Sequence, residues 1–226
     1  MIGLLNNPVW EALSSRQIHF NNGNEVLKYF PAEVAPFIGM KNWDSNDLHQ
    51  LEKQVPANRS FSMLMAKRVE LPPEFKTIFT LPLYQMYCPV CKPSAKTDLT
   101  IRELTMSDVP QMLALTEKTK PGPFYAKTIL FGNYMGLFIG DELAAMTGER
   151  LKVNGYTEVS AICTNPDHLG KGYASYLISH ACERIVAGGY TPFLHVRTDN
   201  LRAIEVYKRS GFEIRTDIHF AVFKKA

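Results

Sequence analysis

Chemistry is densest in Thr164-Asn165-Pro166-Asp167-His168-Leu169-Gly170-Lys171-Gly172-Tyr173-Ala174. This stretch ends an apolar strand and opens a helix. The first amides of a helix have no partner within it, and its dipole places roughly half a positive charge at that end. Gly170 and Gly172 remove the Cβ atoms that would hold an anion away from those donors. The chemistry expected is a main-chain grip on a pyrophosphate by Leu169, Gly170, Lys171, Gly172, Tyr173 and Ala174, with Lys171 as a nearby cation. The alternative is a tight strand-to-helix turn that uses Gly only for positive φ.

A second group lies further on. Asn200, Ala203, Tyr207, Gly211 and Phe212 mark a short helix leading into a strand. Tyr207 falls about two helical turns after Asn200, so the two share a face. In this order the two groups resemble the GNAT superfamily of acyl-CoA-dependent N-acyltransferases, over about residues 99–224. The FR47-like and glycine N-acyltransferase-like branch is the most similar. Thr119-Lys120-Pro121-Gly122-Pro123-Phe124, Gly148-Glu149-Arg150, Tyr156–Thr164, Leu194-His195-Val196-Arg197 and Asp199-Asn200 carry that likeness. Asn7-Pro8-Val9-Trp10 and Val34-Ala35-Pro36-Phe37 resemble the branch's N-terminal extension. The family's phosphate turn usually reads Arg/Gln-x-x-Gly-x-Gly/Ala. Here Leu169 takes the first position, while Gly172 and Ala174 fit.

The resemblance implies acetyl-CoA or another acyl-CoA as co-substrate and an amine, on a small molecule or a peptide, as acceptor. It places the pantetheine arm along Ile162, Cys163 and Thr164 as an added pseudo-strand, with Asn200 hydrogen-bonded to the same arm or serving only as an N-cap. It places the Tyr207 hydroxyl at the CoA sulfur as the acid that reprotonates the leaving thiolate; the alternative is a core aromatic beside Ile204. The oxyanion would meet a strand-end N–H near Cys163. An alkyl ammonium must also lose a proton, because lysine-like amines titrate near ~10.4. Glu158 is the candidate base, half-buried with its pKa raised, or else an exposed strand carboxylate. Glu149 is the reserve, or a partner of Arg150 or Lys152. Kept without turnover, the same motifs would make an acyl-CoA-binding regulatory module.

Cys88-x-x-Cys91 offers half a zinc site or a redox pair, but structural zinc needs four ligands and the sequence has no second such pair. The reading is reduced thiols in a linker, with no metal site. Cys163 is read as a small buried residue rather than a nucleophile, and His195 as a satisfied structural histidine.

Positioning these groups requires a mixed α/β fold: a mostly antiparallel GNAT-type sheet flanked by helices. Expected strands are Leu99–Leu104, Tyr134–Ile139, Glu142–Val153, Tyr156–Thr164, Pro192–Thr198, Phe212–Thr216 and His219–Phe223. Expected helices run from Asp108 to about Lys118 behind a Ser107 N-cap, from about Lys171 to Ala187, and from Asn200 to Ser210. Asn154-Gly155 signals a type I′ hairpin. Residues 91–98 read as a linker after a companion half, 1–90, which is expected to shape the acceptor pocket and is punctuated by prolines. There Asp47–Gln54 reads as helix and Phe61–Val69 as strand.

The chain has 226 residues, 46% of them apolar, enough for a packed core. Its 25 basic and 22 acidic residues give a net charge of only +3, which argues against a nucleic-acid partner. No stretch approaches the roughly 18–20 apolar residues of a membrane span, and the opening residues lack the pattern of a signal peptide. The expected setting is cytoplasmic, with the four cysteines reduced.

Overall fold

The computed structural model describes residues 2–95 and 98–226, with no side-chain description for Ser45 and Asn46. Lys96 and Thr97 of the expected linker lie outside the described residues. The strands are β1 Leu27–Tyr29, β2 Ile38–Met40, β3 Ser60–Met65, β4 Phe75–Tyr87, β5 Ile101–Glu103, β6 Met135–Ile139, β7 Glu142–Val153, β8 Tyr156–Thr164, β9 Thr191–Arg197 and β10 Glu213–Lys225. The helices are α1 Pro8–Leu13, α2 Ser45–Gln54, α3 Val109–Thr119, α4 Tyr173–Ala187 and α5 Leu201–Arg209.

β1 and β2 form a small hairpin, and the other strands form one eight-stranded sheet in the order β3-β10-β4-β9-β8-β7-β6-β5. All its neighbours are antiparallel except β8 and β9. The mixed, mostly antiparallel sheet expected from the sequence is present. The sheet also crosses the expected 91–98 division, because β3 and β4 come from the first half and β4 lies between β9 and β10. Pro82 interrupts the apolar pattern of β4, yet it fits. Its carbonyl accepts Thr198 N at 3.2 Å, just beyond the last β4–β9 pair, where no ladder donor is needed.

Local chemistry explains the element ends. Thr105, not Ser107, caps the turn before α3: Thr105 N donates to Asp108 Oδ2 at 2.7 Å, and Arg102 pairs with Asp108 Oδ1 at 2.7 Å. α4 starts at Tyr173 rather than Lys171, because Gly172 is its left-handed cap at φ +78°. The β7–β8 hairpin forms, but only Gly155 of its turn has positive φ, so the turn is not type I′. Phe212–Thr216 and His219–Phe223 fuse into the single strand β10, because Asp217 and Ile218 pair without interruption with Tyr84 and Leu83 of β4; the register shifts fall instead at Ile214/Thr216 and Val222/Phe223.

The two halves share a core in which Leu5, Val9, Leu13, Phe30 and Phe37 meet Met146, Leu151, Ala161 and Phe193. Polar contacts fix the seam. Gln17 donates to Arg150 O at 2.8 Å and accepts from Lys152 N at 3.1 Å, and Arg16 donates to Thr157 Oγ1 at 2.8 Å. On the other face α4 buries Leu177, Ile178, Ala181, Cys182 and Ile185, the helical spacing of a core-facing stripe.

Candidate active site

β8 and β9 are paired only from Tyr156↔Thr191 to Glu158↔Phe193. Past that rung they part. Between Gly148↔Ser160 and Met146↔Cys163, two β8 residues, Ala161 and Ile162, face the single Thr147 of β7, and Ala161 takes φ +50°. A bulge of this kind bends its strand, here away from β9. Among the described residues, the β9-facing edge of β8 after Glu158 has no strand partner.

The split opens into a cavity of about 700 Å³. Ser160, Ala161, Ile162, Leu194, His195 and Val196 line its fork, and Asn200 and Tyr207 reach it from the α5 side. Phe37, Leu64, Phe79, Leu81, Phe220 and Val222 supply an apolar wall. Part of that wall comes from the first half of the chain.

Beyond β8, Asn165 braces the glycine turn: its Nδ2 donates to Glu142 Oε1 at 2.6 Å and its N to Ala144 O at 2.8 Å. Gly170 and Gly172 have φ +82° and +78°, with open space where a Cβ would stand. Among the described residues, the amides of Gly170, Lys171, Gly172, Tyr173 and Ala174 have no protein acceptor. Leu169 is exposed. Thr164 Oγ1 is buried without a partner among the described residues, at the end of β8.

Tyr207 is buried, burial pushes its phenol well above the usual range, and its hydroxyl has no protein partner among the described residues. It therefore keeps its proton at neutral pH. Asn200 caps α5, accepting Ala203 N at 3.2 Å, and also lines the cavity. Burial pushes the Cys163 thiol up to about 12, which removes it as a thiolate nucleophile.

Glu158 differs from its expectation. It is fully buried and off the cavity lining. Arg150 grips it with two hydrogen bonds, Nε to Oε2 at 2.8 Å and Nη2 to Oε1 at 2.5 Å, and His195 Nδ1 lies 2.6 Å from Oε1. Burial alone raises the carboxyl, but Arg150 and then His195 outweigh it and bring the pKa down to about 2. The expected rise is therefore reversed, because the charged form is paired. Glu149 is buried against Lys152 at 2.9 Å and also stands off the lining.

Gln85 sets the tautomer of His195. Arg215 Nε must donate, so it fixes the Gln85 oxygen, and the amide nitrogen turns to Leu5 O at 2.9 Å and His195 Nε2 at 2.9 Å. His195 Nε2 then accepts and Nδ1 donates to Glu158. Both ring nitrogens are satisfied, as expected of a structural histidine. Sequence reasoning missed Gln85 and Arg215, which carry no local signal, and Arg150 as a cavity-lining cation. It also missed Glu117, the one carboxylate on the lining among the described residues.

A split sheet whose bare strand edge leads to an unpaired, glycine-opened helix start defines an α/β protein built to hold an extended phosphorylated cofactor. Comparison with known proteins makes this specific. A family model for FR47-like proteins matches residues 134–221. A GNAT-family structure assigned as an acetyltransferase, from Novosphingobium aromaticivorans, matches with 30% identity and TM-score 0.90 over 98% of each chain. A GCN5-related N-acetyltransferase from Kribbella flavida matches with 15% identity and TM-score 0.66 over 95% of each chain, which speaks to the fold alone. A search of curated proteins found no match. The chain belongs to the GNAT family, the class of acyl-CoA-dependent N-acetyltransferases. No helix among the described residues is long and apolar enough to cross a membrane.

Proposed function

We propose that this protein moves an acyl group, acetyl by default, from acyl-CoA to an amine within one ternary complex. The observation that carries this reading is the coincidence of bare amides at 170–174, the unpartnered β8 edge and the cavity at the fork. The pyrophosphate sits on the amides of Gly170–Ala174, beside Lys171. The pantetheine arm pairs with the edge at Ile162, Cys163 and Thr164, where the orphaned Thr164 hydroxyl gains a partner, and Asn200 holds the arm from the other side. A strand N–H near Cys163 receives the oxyanion. The amine nitrogen attacks the thioester carbon, the C–S bond breaks, and Tyr207 gives its proton to the departing sulfur.

Glu158 is proposed as a positioning residue rather than the direct base: it holds Arg150 and His195 on the cavity wall. The ammonium proton leaves through cavity water toward Glu117. The apolar wall suits an amine carrying an apolar substituent, on a small molecule or a peptide.

The test is thiol release from acetyl-CoA over a panel of amines, with Glu117→Gln alongside. Turnover with apolar amines is expected, with Glu117→Gln slowed at neutral pH and recovering as pH rises. Tight CoA binding with no thiol release from any amine would replace the enzyme by an acyl-CoA-binding regulatory module.

A further inference from the structure

We propose that Cys88, Cys91 and Cys182 form a three-thiolate site for a d10 divalent cation of the Zn2+ kind. Their Sγ atoms all lie within 4.8 Å of one another, and Cys88 and Cys91 are 3.6 Å apart. Thiolates sharing one tetrahedral Zn2+ at ~2.3 Å stand about 3.8 Å from each other, so small shifts bring all three into range. Cys182 is the part the sequence hides: it lies far along the chain, on the core face of α4, and only the packing of α4 under the segment that leaves β4 unites it with the other two.

That segment is held in place before any ion arrives. Cys88 N donates to Pro192 O at 2.8 Å and Lys92 N to Ser210 O at 3.0 Å. Val90 O fills the space over Gly211, 2.1 Å from where a Cβ would stand, so only glycine permits this approach. The loop is pinned to β9 and to the α5–β10 corner with its thiols turned toward α4.

A redox pair needs two thiols and commonly places one at a helix start, which stabilises the attacking thiolate. Residues 88–95 contain no helix, and the third thiol has no part in such a pair. Three thiols binding one Zn2+ release three protons and leave a net charge of −1 at the site. The half-buried Cys91 opens the fourth position to solvent. None of the three lines the acyl-transfer cavity, so the ion is a clip between the loop and α4, independent of catalysis.

The experiment adds Co2+, then Zn2+, to the full-length, reduced, chelator-treated chain. The expected result is one Co2+ per chain with a thiolate-to-cobalt charge-transfer band, displaced by Zn2+, and a thermal midpoint raised by Zn2+. Cys91→Ser and Cys182→Ser each weaken binding by about 100-fold or more, the upper end of what loss of even an outer ligand does. Circular dichroism confirms that both variants fold; Cys91→Ser, at the half-buried position, serves if the buried change does not. Absence of the band at equimolar Co2+ overturns the site, and so does a band that survives both substitutions. A chain that yields only a Cys88–Cys91 disulfide with oxidised glutathione, and binds neither ion, assigns the cluster to redox chemistry instead.

Discussion

His195 Nδ1 donates to Glu158 Oε1 across 2.6 Å at the last rung shared by β8 and β9. The bond sits at the point where the sheet divides. With Arg150 on the other side of the carboxylate, it ties three strands together at the fork, where the backbone ladder stops.

Acid should loosen this knot. Folded Glu158 takes up its proton near about 2, whereas its ordinary value is 4.5. Between those values the unfolded chain binds more protons, so stability falls as pH drops through that window and is complete above it. Chemical denaturation at a series of acidic pH values measures the slope. Glu158→Gln should flatten it and, by stranding the partly buried Arg150 on the cavity wall, lower stability by up to about 3 kcal/mol at neutral pH. An unchanged slope in the variant counts against the assignment.

Tyr207→Phe removes the hydroxyl and little else. If that proton reaches the sulfur, kcat falls by about 100-fold or more while the KM for acyl-CoA stays near its parent value. Steady-state thiol release separates the two parameters; a matched kcat would take Tyr207 out of the chemistry.

Gly172→Val tests the glycine turn. Nothing stands where its Cβ would go, so the effect is conformational: a β-branched residue at φ +78° is strained by roughly 1–2 kcal/mol. The amides should turn off their targets, raising the Kd for CoA about tenfold. Calorimetry reads this directly, and an unaltered Kd would detach the turn from cofactor binding.

Gly148→Ala tests packing next to the site. The new methyl would lie 2.3 Å from the buried ring of Tyr134. Overpacking of this order lowers stability by about 1–3 kcal/mol, seen as an earlier thermal midpoint.

The second half was readable because its strands and helices are local and carry their own stops: Gly188-Gly189 after α4 and Gly211 after α5. The spacing of Asn200 and Tyr207 puts the two on one helix face, and both line the cavity. β4 was missed because Pro82 and a run of exposed positions from Lys76 to Thr80 hide its pattern, and only the pairing with β10 makes it a strand. The surroundings of Glu158 were illegible for the same reason. Arg150 lies only eight residues away, but it takes the β7–β8 register to turn it onto Glu158, and His195 arrives from β9 with Gln85 of β4 and Arg215 of β10 behind it, so no one sequence window contains the whole arrangement.

β3 and β4 follow one another in the chain but do not touch in the sheet, since β10 lies between them. The thirteen residues of β10 therefore fill a slot one strand wide between β3 and β4. With that strand displaced, the facing edges of β3 and β4 would lose their backbone partners and invite any stray strand, including the same segment of another copy. Phe220 and Val222 ride on β10, so the apolar wall of the cavity is complete only when the sheet is closed.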